Sequence, residues 1–220
     1  MDDALGALGM LSPTIAPLLK GIERADSLAL DFHKWGQVPY DAIFFMVRDG
    51  AAQSDTFASP SAYLARHTRG LGGGSPWPCD LGVDLSCSFR ALKTWFTPMC
   101  YGTDQLGAVM EHTCTLAQTM KQQLQIYPEL ELMAPVALNI VCFRHRCDNV
   151  NWVNADEINA EIVADLHESG ITGPSVSQIH GHTVIRATVV NHRTTECDID
   201  ALLNAAQAMG RARCEPHSAD

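Results

Sequence analysis

The chain has 220 residues with 46% hydrophobic and 18% charged residues, which is typical of a folded globular protein and not of a disordered one. Its formal net charge of −10 argues against nucleic acid as a partner, because phosphate binding needs a basic surface. The longest apolar runs fall well short of the roughly 20 residues that a membrane helix needs, so we expect no membrane partner either.

The remaining bulk features indicate a cytoplasmic protein. The N-terminal stretch carries acidic residues where an export signal would carry positive charge. Eight cysteines are scattered without a CxxC pair, which favours reduced thiols in a cytoplasmic setting.

The first half of the chain alternates between a helical pattern and short apolar strands. We predict a helix over residues 12–25, strands over residues 27–32 and 41–47, and a long loop over residues 48–82. The Gly/Pro cluster GLGGGSPWP marks that loop, and long loops in compact domains often act as lids.

The second half predicts a small α+β domain with a sheet of its own. Apolar residues at intervals of three and four indicate a helix from residue 103 onward, and we place a domain boundary there. Strands and helices then follow to the end of the chain. We predict strands over residues 129–135, 138–145, 172–179 and 182–190, and helices over residues 154–170 and 194–212.

Lys34 is the residue that points most directly to chemistry. It lies between His33 and Trp35, and strand-like apolar runs flank it on both sides. An ordinary lysine in such a place packs its stem and extends its ammonium group to the surface. The alternative is a Schiff-base lysine, and the end of a strand favours it because ligands bind there in α/β folds.

Four collinear segments resemble one enzyme family. ADSLALDFHKWGQVPYDAIFFMVRD resembles the cofactor-lysine segment of the group II pyridoxal-phosphate-dependent amino-acid decarboxylases. DDALGALGMLSP resembles the family's Asp-x-Ala segment, and SFRALKTWFTPMCYG resembles its Arg-x-Leu-Lys-x-Trp helix. VIRATVVNHRTTECDIDAL resembles the strand and helix near the family's C-terminus, so the likeness spans nearly the whole chain.

This resemblance implies a set of site residues. Lys34 would form the Schiff base with pyridoxal 5'-phosphate, and Asp2 would pair with the pyridinium nitrogen of the cofactor. Ala4 would pack against the cofactor ring, and His33 would lie beside the Schiff base near the phosphate. The reaction implied is loss of the α-carboxylate from an L-amino acid.

The resemblance also implies an architecture and a missing part. Residues 1–102 would form the C-terminal part of a fold-type-I large domain of the α/β class, and residues 103–220 the small α+β domain. The family's phosphate-binding loop and ring-stacking histidine precede the Asp2 position, so we expect a fragment of a larger homodimeric enzyme. A remnant that binds no cofactor and another fold-type-I activity, such as an aldehyde synthase, remain as alternatives.

Two positions depart from the family pattern. In the family, the mobile loop before the Arg-x-Leu-Lys helix often carries a tyrosine that acts as a proton donor. The corresponding stretch here, ARHTRGLGGGSPWPCDLGVDLS, has no tyrosine: Tyr63 lies just before it, and His67 is the obvious donor within it. Cys87 stands where an arginine is usual. The sequence therefore leaves the proton-delivery step open.

Other groups of polar residues have simpler interpretations. His180, His182 and His192 could bind zinc, but no acidic or cysteine ligand has a supporting spacing. The CFRHRC stretch favours buried or edge thiols over a metal knuckle, so we predict no metal site. We assign Arg90 and Lys93 to the solvent-facing side of their helix and not to the site.

Overall fold

The protein consists of two compact units. The computed structural model describes residues 1–58, 66–74, 76–147 and 152–214. The units are Met1–Leu106 and Gly107–Asp220, whereas the sequence placed the boundary after residue 102. None of the helices in the described ranges has the length and apolar character to cross a membrane.

The N-terminal unit is built around a small sheet. Its regular elements are β1 (Ser27–Asp31), β2 (Ile43–Val47), α1 (Gly50–Phe57) and α2 (Arg90–Tyr101), with α3 (Thr103–Gln123) beginning at its end. β1 and β2 pair antiparallel, with Leu28 opposite Met46. Both strands were predicted from their apolar runs.

The predicted helix over residues 12–25 is wrong. The region forms short 3₁₀ turns instead, at Ala16–Leu19 and Ile22–Arg24, and another precedes it at Gly6–Leu11. Pro13 and Pro17 have no backbone N–H to donate, so a continuous α-helical ladder cannot form across them.

The segment predicted as a loop over residues 48–82 contains a helix, α1. Asp49 caps it, because its side chain accepts hydrogen bonds from the backbone N–H groups of Ala51 and Ala52. Asp is a preferred N-cap residue, so the sequence did carry this signal.

The C-terminal unit is a four-stranded antiparallel sheet with packed helices. Its strands lie in the order β3-β4-β6-β5, and α4 and α5 pack against each other, α4 also against β6 and α5 against β4. The strands and helices predicted for this half are confirmed. Their bounds are β3 Leu130–Leu132, β4 Ile140–His145, α4 Trp152–Glu168, β5 Ser175–Ile179, β6 His182–Thr188 and α5 Glu196–Cys214.

The cysteines do not all remain free thiols as predicted. Cys147, just after β4, is joined by a disulfide to Cys214 at the end of α5, 67 residues later in the sequence. Pairing across so long a separation leaves no local spacing signal. The other six cysteines are free. The cytoplasmic location stays a prediction.

Ile162 tests how far the core of the C-terminal unit determines its stability. Its side chain is fully buried in α4, so Ile162→Ala should lower the free energy of unfolding by about 2–5 kcal/mol. Urea unfolding followed by tryptophan fluorescence and circular dichroism measures this change. Glu157→Ala, at an exposed position of the same helix, should change it by less than about 0.5 kcal/mol. Equal effects of the two substitutions would contradict this packing.

Candidate active site

β1 lies between two neighbouring chain segments. On one side it pairs with β2, and on the other it pairs in parallel with residues 1–3. The backbone N–H of Asp3 donates to the Ala29 carbonyl at 2.9 Å, and the Ala29 N–H donates to the Met1 carbonyl at 3.0 Å. These bonds place Asp2 directly beside Ala29.

The two faces of β1 differ in character. Leu28 and Leu30 are buried, whereas Ala29 and Asp31 are partly exposed. Since side chains alternate along a strand and paired residues share a face, Asp2 lies on the same face as Ala29 and Asp31. β1 therefore has one apolar face and one face that carries two carboxylates.

Lys34 lies in the turn that follows β1. Its Nζ atom is 2.5 Å from Oδ2 of Asp31, and its side chain is 41% exposed. The Asp31 side chain is only 14% exposed, so the carboxylate is the more buried member of this ion pair. This contact brings the Lys34 amine to the polar face of β1, which also carries Asp2.

His33 is fixed by the start of the segment that leads into β2. Its Nδ1 atom accepts a hydrogen bond from the Ala42 backbone N–H at 3.1 Å. Its ring also lies edge-on to Tyr40, with the centroids 4.6 Å apart. Because Nδ1 is an acceptor, the neutral ring carries its proton on Nε2.

Ala4 lies where the first segment leaves the sheet. The Asp3 carboxylate accepts a hydrogen bond from the Gly6 N–H at 2.6 Å, which closes the turn after residues 1–3. Ala4 is partly buried within this turn. It follows the segment that carries Asp2, and its part in cofactor binding stays a prediction.

An ion-pair cluster joins α2 to the segment before β2. Arg90 Nε lies 2.9 Å and Lys93 Nζ 3.7 Å from the carboxylate of Asp41. Partial desolvation raises the pKa of Asp41, but a backbone hydrogen bond and the cations Arg90 and Lys93 outweigh it and hold this pKa below its ordinary value of 3.8. Arg90 and Lys93 keep about a third of their side-chain surface exposed, and the structure adds their shared ion-pair partner, Asp41.

Several large apolar side chains of α2 are exposed. Leu92, Trp95 and Phe96 are exposed large side chains. Trp95 lines an apolar cleft of about 820 Å³ that Leu28 and Leu30 also line. The cleft therefore lies on the apolar face of β1, opposite the Lys34 side.

The other candidates from the sequence have different surroundings. His67 and Cys87 are exposed, and Tyr63 lies outside the described residues. His180 forms the turn between β5 and β6, while His182 lies 3.7 Å from the Asp156 carboxylate. Within the described ranges, the three histidines proposed for zinc do not form a cluster of metal ligands.

Comparison with known proteins identifies the family. The protein-family model described as pyridoxal-dependent decarboxylase conserved domain matches residues 1–146 of this chain. The chain belongs to this family. It is 32% identical to an aromatic-L-amino-acid decarboxylase of Bacillus atrophaeus over 195 residues, which are 88% of this chain and 40% of the relative. It is 33% identical to a histidine decarboxylase of Drosophila melanogaster over 200 residues, 90% of this chain and 22% of the relative.

Solved structures of this family share the fold. Oryza sativa TDC with PLP and tryptamine matches with a TM-score of 0.83 and 23% identity, over 97% of this chain and 44% of that one. The match confirms the predicted fold class, part of a fold-type-I enzyme. The chain thus spans less than half the length of the decarboxylases that it matches.

Asp31 is the site residue that sequence reasoning missed. An acid three residues before a lysine, at the point where a strand ends, can fold back onto the amine. The spacing was visible in LDFHK, but it needs the turn geometry to become a contact.

Asp41 gives a pH-dependent test of the α2 ion pairs. Because its pKa is lowered by folding, its stabilising contribution is present above the ordinary value of 3.8 and is lost as the pH falls through the folded-state value. Asp41→Asn should therefore unfold more easily than the unsubstituted chain at about pH 6, and this difference should shrink toward about pH 3. Urea unfolding at several pH values measures it, and a difference that does not vary with pH would contradict the ion pairs.

Proposed function

We propose that the chain supplies the cofactor lysine of a pyridoxal-phosphate-dependent enzyme that removes the α-carboxylate of an L-amino acid. The observation that carries the proposal is the polar face of β1, where the Lys34 amine meets the Asp31 carboxylate beside the segment of Asp2. The family provides the reaction class, and this face provides an amine and a carboxylate of the kind the cofactor needs.

The residues of this face have separate tasks. Asp31 holds the Lys34 amine at the end of β1, where this amine would hold the cofactor. Asp2 presents a carboxylate that would keep the pyridine nitrogen of the cofactor protonated. His33, oriented by the Ala42 N–H, presents an N–H on Nε2 to the phosphate side. Pyridoxal phosphate, when bound, supplies an electron sink for the electrons of the broken bond to the carboxylate.

The rest of the enzyme is needed to complete the N-terminal unit. Ile43, Phe44, Phe45 and Met46 of β2 are all exposed in this chain. A run of exposed apolar residues on a strand is an aggregation hazard unless another part of the protein covers it. We infer that the part of the enzyme outside this sequence packs on β2, and that the complete enzyme is a homodimer, as the family resemblance implies.

A fusion tests the proposed reaction. The 220-residue chain would replace the matching C-terminal part of the Bacillus atrophaeus relative, with pyridoxal phosphate and aromatic L-amino acids supplied. We expect CO2 release that falls to background in Lys34→Ala and persists in Lys20→Ala, whose lysine is exposed elsewhere on the same unit. The alternative of a non-catalytic remnant predicts that a folded, soluble fusion releases no CO2.

The products of the same fusion distinguish a decarboxylase from an aldehyde synthase. The stretch ARHTRGLGGGSPWPCDLGVDLS contains His67 but no tyrosine, so the aldehyde-synthase activity is worth testing. A decarboxylase forms one amine per CO2. An aldehyde synthase consumes O2 and forms an aldehyde, ammonia and hydrogen peroxide with each CO2. We expect the amine as the main product, and hydrogen peroxide equal to the CO2 released would instead support the synthase.

A further inference from the structure

A second group of reactive side chains lies in the C-terminal unit. His145 ends β4, Cys147 follows it by two residues, and Cys214 ends α5. The Nδ1 atom of His145 and the two sulfur atoms all lie within 4.8 Å of one another. This group takes no part in the reaction proposed above.

The distances in this group match a tetrahedral zinc site. Zn–S bonds of about 2.3 Å and Zn–N bonds of about 2.0–2.1 Å, set at the tetrahedral angle, place N and S about 3.6 Å apart. His145 Nδ1 lies 3.7 Å from the sulfur of Cys147 and 3.7 Å from that of Cys214. The same bonds place two sulfur atoms about 3.8 Å apart, so the disulfide must be opened before a metal can enter.

The surroundings hold the His145 ring in place for such a site. The backbone of His145 is fixed by Asn159: the His145 N–H donates to Asn159 Oδ1 at 2.7 Å, and the His145 carbonyl accepts from Asn159 Nδ2 at 3.0 Å. Gly210 of α5 lies directly against the ring, where a Cβ atom would overlap the imidazole. The ring is almost fully buried, with Nδ1 facing the two sulfur atoms.

We propose that His145, Cys147 and Cys214 bind Zn²⁺ when the disulfide is reduced. Reduction by a dithiol transfers two electrons and two protons to the sulfur atoms, and the dithiol becomes a disulfide itself. Zinc then binds the two thiolates and the imidazole, and two protons are released to solvent. Cys214 is partly exposed, so water can fill the fourth coordination position.

Cobalt binding to the full 220-residue chain tests this site. The chain is reduced with a dithiol, desalted under nitrogen and titrated with Co²⁺. We expect one Co²⁺ per chain with the thiolate charge-transfer band and the visible bands of tetrahedral cobalt, and Zn²⁺ should bleach both. Cys147→Ser and Cys214→Ser should each weaken the charge-transfer band, because one thiolate is lost, and the variant with both substitutions should lack it. Cys142→Ser on β4 and Cys197→Ser on α5 are matched controls and should retain it.

Further outcomes decide against the proposal. Reduced chain without the charge-transfer band would show that the cluster serves as a disulfide only. Equal binding by the oxidised chain, or by a folded Cys147→Ser/Cys214→Ser variant, would place the metal elsewhere. Gly210→Ala, with folding checked by circular dichroism, should weaken binding by about 10–100-fold because it displaces the ring. Unchanged affinity of that variant would overturn the role of His145.

Discussion

The pairing of β1 with its two neighbours is the constraint on which the candidate site depends. Hydrogen bonds from residues 1–3 on one side and from β2 on the other fix the direction of the strand. Alternation then sends Leu28 and Leu30 to the apolar face and Asp31 to the polar one. Lys34 reaches Asp31 only because the strand ends there in a tight turn. A shift of one residue in this pairing would exchange the two faces and separate Lys34 from the Asp2 segment.

The same sheet leaves apolar residues of β2 uncovered. A strand gains stability when both its edges and at least one face are covered, and β2 leaves Phe44 and Phe45 exposed. The C-terminal unit differs in this respect, because α4 and α5 pack with its sheet around a continuous buried core. We therefore expect the C-terminal unit to be the more stable part of the chain in isolation.

The sequence predicted elements with clear periodicity and missed those determined by single residues. β1, β2 and the C-terminal strands and helices follow apolar patterns that local sequence contains. The helix expected over residues 12–25 failed because its prolines outweigh its apolar spacing. The Cys147–Cys214 pair could not be predicted, since only the folded sheet and α5 bring its cysteines together. The proposed roles of Lys34 and Asp2 come from family resemblance, and the structure adds the face of β1 that carries Asp2 and Asp31 and that the Lys34 amine meets.

Mapping of the amine that captures the cofactor tests the central claim most directly. The chain contains four lysines, at positions 20, 34, 93 and 121, so the reactive one can be identified without ambiguity. The protein would be incubated with pyridoxal phosphate, reduced with borohydride, digested and analysed by mass spectrometry. We expect the label on Lys34, with Lys34→Ala losing it and Lys121→Ala retaining it. A label spread equally over the four lysines, or undiminished in Lys34→Ala, would contradict the assignment of Lys34 as the cofactor lysine.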